Sequence, residues 1–324
     1  MDFVGSLKAK IQQSGNKYKI VYPDGAVESC VQAVSMLCEE GVITPIILGN
    51  IAQINKTASK NGWSLEGAEI IDPKESLTDE FVETYYALRK HKGIDKAYAK
   101  SQMEKVHFYG AMMVEKGLAD GMVGGLTSDT KPFIPAFEIV KTKPGIKRAS
   151  AIFFMAKGDD VKLYSDCAMN MNPDADTLAQ IGAASGDTAV AFGFEPNIAF
   201  LSFSTLGTAE DPLVDKVSEA TKIAKTLRPE YNIDGEMQFD AALLPAVAQK
   251  KCPNSPVAGK ATVYVFPDLN AGNIGYKITE RLGGYAAIGP IFQGLNKPVN
   301  DLSRGAKPED IANSGYLTVV QAMV

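Results

Sequence analysis

Three side chains with complementary chemistry lie within eight residues near the C-terminus: the Ser303 hydroxyl, the Arg304 guanidinium and the Asp310 carboxylate. A hydroxyl can hydrogen-bond a developing negative charge, a guanidinium fork can hold two oxygens of an anion, and a carboxylate can accept a proton. Ser303 and Arg304 close a run, Gly289-Pro290-Ile291-Phe292-Gln293-Gly294-Leu295-Asn296-Lys297-Pro298-Val299-Asn300-Asp301-Leu302-Ser303-Arg304-Gly305, that puts polar and conformationally special residues where a plain core segment needs periodic apolar ones. Pro308-Glu309-Asp310-Ile311 then opens a helix, because proline fits the first helical turn and acids there complement the positive end of the helix dipole. Such a start also suits a bound anion. The run reads as an active-site loop, although each residue has a plainer use: Asp310 favours a helix start, Ser303 shapes a turn, and Arg304 pairs with a surface acid.

A loop of this kind needs rigid elements to hold it. Short β-branched runs alternate with longer amphipathic ones: Lys19-Ile20-Val21-Tyr22, a helical stretch from Cys30 to Glu39, then Thr44-Pro45-Ile46-Ile47-Leu48. The rhythm repeats with Ala68-Glu69-Ile70-Ile71 before a helix from Asp79 to His91, and with Asn197-Ile198-Ala199-Phe200-Leu201 after a helix from Asp174 to Phe192. Thr262-Val263-Tyr264-Val265-Phe266 precedes a helix from Ala271 to Leu282. This pattern predicts an α/β protein with two layered domains and largely parallel sheets. A length of 324 residues suits two domains, and Lys143-Pro144-Gly145 interrupts the periodicity as a boundary would.

Composition narrows the function. Apolar content of 45% and charged content of 22% are ordinary for a globular protein, and a net charge of -5 argues against nonspecific nucleic-acid binding. No signal peptide or membrane-spanning run is evident, which predicts a cytoplasmic protein without a membrane partner. Cys30, Cys38, Cys167 and Cys252 are widely spaced and expected to remain reduced, with Cys167 in the core rather than acting as a nucleophile. The two histidines, His91 and His107, do not suggest a Ser-His-Asp triad, and no compact ligand set suggests a metal. Gly272 and Gly275 lack the spacing of a dinucleotide fingerprint or a P-loop.

A set of segments in fixed order carries a resemblance: Leu88-Arg89-Lys90-His91-Lys92-Gly93; Ala119-Asp120-Gly121-Met122-Val123; Ile139-Val140-Lys141-Thr142-Lys143-Pro144-Gly145; Asp166-Cys167-Ala168; Leu201-Ser202-Phe203-Ser204-Thr205; Asp234-Gly235-Glu236-Met237-Gln238-Phe239-Asp240-Ala241-Ala242; and Phe266-Pro267-Asp268-Leu269-Asn270-Ala271-Gly272-Asn273-Ile274-Gly275-Tyr276-Lys277. Together with the C-terminal run, the chain resembles the phosphate acetyltransferase (phosphotransacetylase) family. The resemblance implies exchange of an acetyl group between coenzyme A and inorganic phosphate, with coenzyme A as a substrate and no permanently bound cofactor. Acetyl-CoA, phosphate and acetyl phosphate are the implied small-molecule partners, and a second copy of the chain is expected in a homodimer. The implied domains are residues 1–143 with 293–324, and residues 144–292, with the site in the cleft between them. By the same resemblance Asp310 acts as base toward the thiol, Ser303 hydrogen-bonds the developing charge, and Arg304 binds a phosphoryl or carbonyl oxygen. Arg89, Ser128, Lys131, Ser204 and Thr205 are the implied substrate-binding residues.

The chain departs from the family pattern in several places. Where the family carries His-Ser-Thr-x-Asp-Thr-x-Arg-Pro, an ungapped register puts Thr127 at the histidine and Ile134 at the arginine; a gapped one makes Lys131 the replacement cation. Two family lysines correspond to Leu206 and Glu210, and an arginine to Ser29. Each lost charge-assisted contact removes roughly 1.5–3 kcal/mol. Noncatalytic binding of an acyl-CoA or acyl phosphate, motivated by Ile134, Leu206 and Glu210, stands as one alternative to acetyl transfer, and transfer of propionyl or butyryl groups as the nearest enzymatic one.

Overall fold

The computed structural model describes residues 2–127 and 133–323. The chain divides into two compact units, Val4–Lys143 with Leu295–Val324, and Met1–Phe3 with Pro144–Gly294. The first is built on a five-stranded sheet in the order Val299–Asp301, Gly121–Gly124, Lys19–Tyr22, Thr44–Leu48, Glu69–Ile71, with every neighbouring pair parallel. Its inner strands read as apolar runs because helices cover both faces. Successive side chains of Lys19–Tyr22 alternate between those faces. Val21 and Met122 meet Gly110 of the helix Val106–Glu115; Ile20 and Tyr22 face Thr318 and Gly315 of the helix Pro308–Ala322. At Gly315 the approach is so close that a Cβ would lie 2.0 Å from the Tyr22 hydroxyl.

The flanking helices begin and end where local chemistry directs. Glu28–Glu40 stops at Gly41, which has φ +64°; the Asn50 side chain accepts from Gln53 N to start Ile51–Asn61, and the Thr78 side chain accepts from Phe81 N to start Asp79–Arg89. The expected helix from Asp79 to His91 thus ends at Arg89, and a single tighter turn, Lys90–Lys92, carries the chain to Gly93.

The second unit has a six-stranded sheet in the order Ala286–Gln293, Ser150–Lys157, Asp160–Ser165, Val263–Val265, Asn197–Leu201, Asn232–Met237. Its last four strands are parallel, while Ser150–Lys157 runs antiparallel to both of its neighbours. Gly158-Asp159, with Gly158 at φ +60°, supplies the tight turn of that hairpin. The α/β class with mostly parallel sheets therefore holds, with an antiparallel margin that the strand-and-helix rhythm does not anticipate.

Within this unit the C-terminal run contributes a buried polar centre. Gln293 Oε1 accepts from the hydroxyls of Ser150 and Ser185 at 3.0 and 3.2 Å, and its Nε2 donates to Thr188 Oγ1 at 2.6 Å. Side-chain pairing of this kind is what allows an amide to sit in a core. The run thus ends its service to one unit at Gly294 and begins the other at Leu295.

Candidate active site

In a parallel sheet all strand carboxyl ends lie along one edge, so residues just past them converge although they are distant in sequence. In the first unit that edge carries Pro23-Asp24 after one strand, Gly125-Leu126-Thr127 after a second and Leu302-Ser303-Arg304 after a third. Asp24 is buried there. Its Oδ2 accepts from the amides of Gly125 and Leu126 at 2.8 and 3.1 Å, its Oδ1 accepts from Thr127 Oγ1 at 2.5 Å, and His107 Nε2 lies 3.3 Å from Oδ1. Burial alone would raise its pKa, but His107, the Thr127 hydroxyl and the Gly125 amide outweigh it and hold the carboxyl down to about 2.

Asp301 ends the neighbouring strand and behaves oppositely. Burial pushes its carboxyl up to about 7, and the negative charge of Asp24 adds to the rise against the Leu302 amide. Between the two acids runs Gly124-Gly125. A Cβ on Gly124 would meet Pro23 Cγ at 2.6 Å, and one on Gly125, whose φ is +129°, would come within 2.2 Å of Asp301 Oδ1. Glycine is required at both positions by close approach, and at Gly125 by backbone conformation as well.

Ser303, Arg304 and Asp310 are exposed beyond this edge. Leu302 N donates to Gly124 O at 2.9 Å, which seats the start of their loop on the adjacent strand. Ser303 then forms a turn: its carbonyl accepts from Ala306 N at 2.9 Å and its Oγ from Gly305 N at 3.4 Å. Asp310 occupies the first turn of Pro308–Ala322 and its Oδ2 accepts from Lys307 N at 3.1 Å. The hydroxyl, guanidinium and carboxylate therefore belong to one loop and the helix start it leads into.

Arg89 is placed in the same unit, at the end of Asp79–Arg89. Its Nη2 donates to Glu138 Oε1 at 2.7 Å, while the Tyr85 hydroxyl donates to Glu138 Oε2, also at 2.7 Å. Burial and Glu138 together push the Tyr85 hydroxyl pKa upward, so it remains a donor. Thr127, at the position of the family histidine in one register, donates to Asp24, and Ile134 is exposed. Ser128 and Lys131 lie outside the described residues.

Ser204 and Thr205 belong to the second unit, in the loop after Asn197–Leu201. Both are buried. Ser204 Oγ donates to Glu236 Oε1 at 3.0 Å, and Thr205 Oγ1 accepts from Gln238 N at 3.0 Å, so these hydroxyls hold the loop to the neighbouring strand's end. Leu206 and Glu210 in that loop are exposed. Cys167 is buried, with its thiol pKa raised by desolvation, as suits a core residue. The adjoining Asp166 carboxylate accepts from the amides of Ala168, Met169 and Asn170, while Gly272 passes so close that a Cβ would lie 2.3 Å from Asp166 O. Two of the resembling segments thereby acquire a mutual packing role. Among the described residues no group of three or more His, Cys, Asp or Glu side chains is placed to hold a metal ion.

Asp24 and Asp301 carry no expected role in the sequence, and His107 enters there only as a disfavoured triad member. Their available signal was positional: Asp24 and Asp301 stand at or just after β-branched runs, where a parallel sheet presents residues at its edge. The His107 pairing had no local signal, since its partner is on another element.

Comparison with known proteins accounts for nearly all of this chain. The family model described as phosphate acetyl/butaryl transferase matches residues 3–319. A phosphate acetyltransferase of Bacillus subtilis (strain 168) is 44% identical over 325 residues, covering 99% of both chains. The crystal structure of a phosphotransacetylase from Streptococcus pyogenes superposes with a TM-score of 0.94 at 46% identity, covering 99% of this chain and 98% of that one. The EutD phosphotransacetylase from Staphylococcus aureus gives 0.93 at 43% identity, covering 98% and 99%. On this breadth of likeness, together with the glycine-lined sheet edge and the loop it supports, the chain belongs to the phosphate acetyl/butaryl transferase family.

Proposed function

We propose that the protein is a phosphate acetyltransferase that interconverts acetyl-CoA and phosphate with coenzyme A and acetyl phosphate. The observation that carries this reading is the Ser303–Asp310 segment, which leaves the carboxyl end of a parallel strand and enters a helix N-terminus in a chain 44% identical to a phosphate acetyltransferase across nearly its whole length. Such a position favours anionic reactants.

In the direction of acetyl-CoA formation, Asp310 takes the thiol proton and the sulfur attacks the acetyl carbonyl carbon of acetyl phosphate. The carbon–oxygen bond to phosphate breaks, and phosphate leaves with the electron pair. Ser303 hydrogen-bonds the charge on sulfur, while Arg304 holds a phosphoryl or carbonyl oxygen through its guanidinium fork. In reverse, phosphate oxygen attacks acetyl-CoA, the carbon–sulfur bond breaks, and Asp310 returns the proton to sulfur. Both reactants are held together, so no acyl-enzyme forms. Coenzyme A is a substrate and no permanent cofactor takes part.

Arg89 contributes a cation for the phosphate, exchanging its Glu138 contact for the substrate, and Lys131 and Ser128 supplement it. Ser204 and Thr205 support the coenzyme A side by fixing their loop. The protein acts in the cytoplasm as a homodimer. The exposed apolar stripe Ile274, Ile278 and Leu282, spaced one helical turn apart from Ile274 onward, supports a second copy as partner.

A noncatalytic relative is favoured by one observation, the exposed Leu206 and Glu210 at positions where the family carries lysines. Release of thiol from acetyl-CoA upon addition of phosphate separates the readings. Turnover supports the enzyme, whereas binding of acetyl-CoA without thiol release supports the noncatalytic reading. Competition among acetyl, propionyl and butyryl thioesters sets the chain-length preference. Ser303→Ala, Arg304→Ala and Asp310→Asn are each expected to lower kcat by about 10²-fold or more, a typical loss for a group acting in the transition state. Full turnover in all three variants would remove them from the site.

A further inference from the structure

A carboxylate outside the Ser303–Asp310 loop contacts the segment on which that loop is seated. Asp24 is buried, and its two oxygens take up three donors from successive residues, Gly125, Leu126 and Thr127, with His107 at 3.3 Å as a fourth neighbour. A carboxylate that spans the start of a loop in this way sets its path as well as its stability. The same short segment meets the Ser303 loop on its other side. Gly124 O accepts from Leu302 N at 2.9 Å, and Gly125 leaves no room for a Cβ beside Asp301 Oδ1 and the Leu302 backbone. Gly124-Gly125 is thus gripped by Pro23-Asp24 on one side and by Asp301-Leu302 on the other, one residue before Ser303.

We infer that Asp24 is a positioning residue for the acyl-transfer reaction, acting through Gly125–Thr127 to set the backbone from which Ser303 and Arg304 project. His107 Nε2, on the helix Val106–Glu115, lies 3.3 Å from the same carboxylate and closes its remaining side. The inference rests on the proposed role of Ser303 and Arg304. Positioning matters because a small displacement of a group that meets the transition state lowers kcat while reactant binding survives. Asp24→Asn retains the side-chain shape but replaces one carboxylate oxygen by an NH2 donor, which must face either the Gly125 and Leu126 amides or the Thr127 hydroxyl, all of them donors to Asp24.

The test is a double-mutant cycle on steady-state thiol-release kinetics with acetyl-CoA and phosphate, using Asp24→Asn, Ser303→Ala and the double variant, with melting followed by circular dichroism. Asp24→Asn is expected to lower kcat about 10- to 100-fold while KM for acetyl-CoA changes less than about threefold. The double variant should lose clearly less than the product of the two single losses, because part of the effect of Asp24 passes through Ser303 and the remainder through Arg304. Thr127→Val, which removes one of the loop's bonds to Asp24, gives a second reading should Asp24→Asn fail to fold; it should lower kcat in the same sense by about threefold or more. Multiplication of the two single losses in the double variant would overturn the inference, as would unchanged kcat in folded Asp24→Asn or, where that protein does not fold, in Thr127→Val. Full activity of Ser303→Ala would instead sink the underlying site assignment.

Discussion

At the scale of single residues, two neighbouring acids have opposite relations to pH. Asp301 has a carboxyl raised from 3.8 to about 7 in the folded protein. Between about pH 4 and 7 the folded form keeps a proton that the unfolded chain has already released, so this group's contribution favours folding at low pH and is lost as pH rises through that window. Asp24, lowered to about 2, contributes in the other sense: its stabilisation is present above about pH 4 and disappears as pH falls toward 2. Asp301→Asn is therefore expected to be more stable than the parent at pH 8, by on the order of 2 kcal/mol after allowance for residual exposure, with the gap closing near pH 4. Chemical denaturation of both proteins at pH 4, 6 and 8 checks this, and a pH-independent difference would contradict it. Neither acid stands out in sequence, because each is perturbed by burial and by groups remote in the chain: His107 on a helix and the Gly125–Thr127 loop for Asp24, and Asp24 itself for Asp301. Ser303, Arg304 and Asp310 do stand out, since their types and spacing lie within one short run.

At the scale of elements, glycines mark where backbones must touch. Gly272 lies on the helix Leu269–Arg281 with its missing Cβ directed at the Asp166 carbonyl, a backbone atom held in place by the turn that the Asp166 side chain organises. A Cβ added at Gly275, one turn on, would lie 3.0 Å from the Phe266 ring, which can give slightly. Gly272→Ala should thus cost about 1–3 kcal/mol through overpacking, whereas Gly275→Ala should be near neutral because better helix propensity offsets the contact. Guanidinium midpoints measure both, and equal losses would show that the Asp166 turn yields as readily as the ring. The sequence places this helix at Ala271 to Leu282, close to its observed bounds, from apolar periodicity. The identity of what each glycine touches comes from an approach between elements that periodicity does not encode.

At the scale of the whole molecule, the run from Gly289 to Gly305 serves both compact units. Its first part supplies Gln293 to the polar centre of one core, and its last part supplies an edge strand and the Ser303 loop to the other. The density of polar residues in the run has two causes, and only the second concerns the candidate site. For the assembly, light scattering is expected to give the mass of two chains, and Ile274→Glu with Ile278→Glu should shift it to one while leaving the melting of the monomer cooperative. A doubly substituted protein that stays dimeric would remove the helix stripe from the interface.

The residue order by itself determined the α/β class, the extents of Lys19–Tyr22, Thr44–Leu48 and Asn197–Leu201, the family resemblance, and the loop where chemistry was sought. These are local properties, set by side-chain periodicity, proline and glycine placement, and motif order. Only the tertiary structure decided that Asp24, Gly125–Thr127, His107 and Asp301 form one cluster, that Arg89 is paired with Glu138, and that Ser204 and Thr205 are buried supports. Parallel strands bring remote chain segments to a common edge, and the burial and charge found there depend on which segments are neighbours in space.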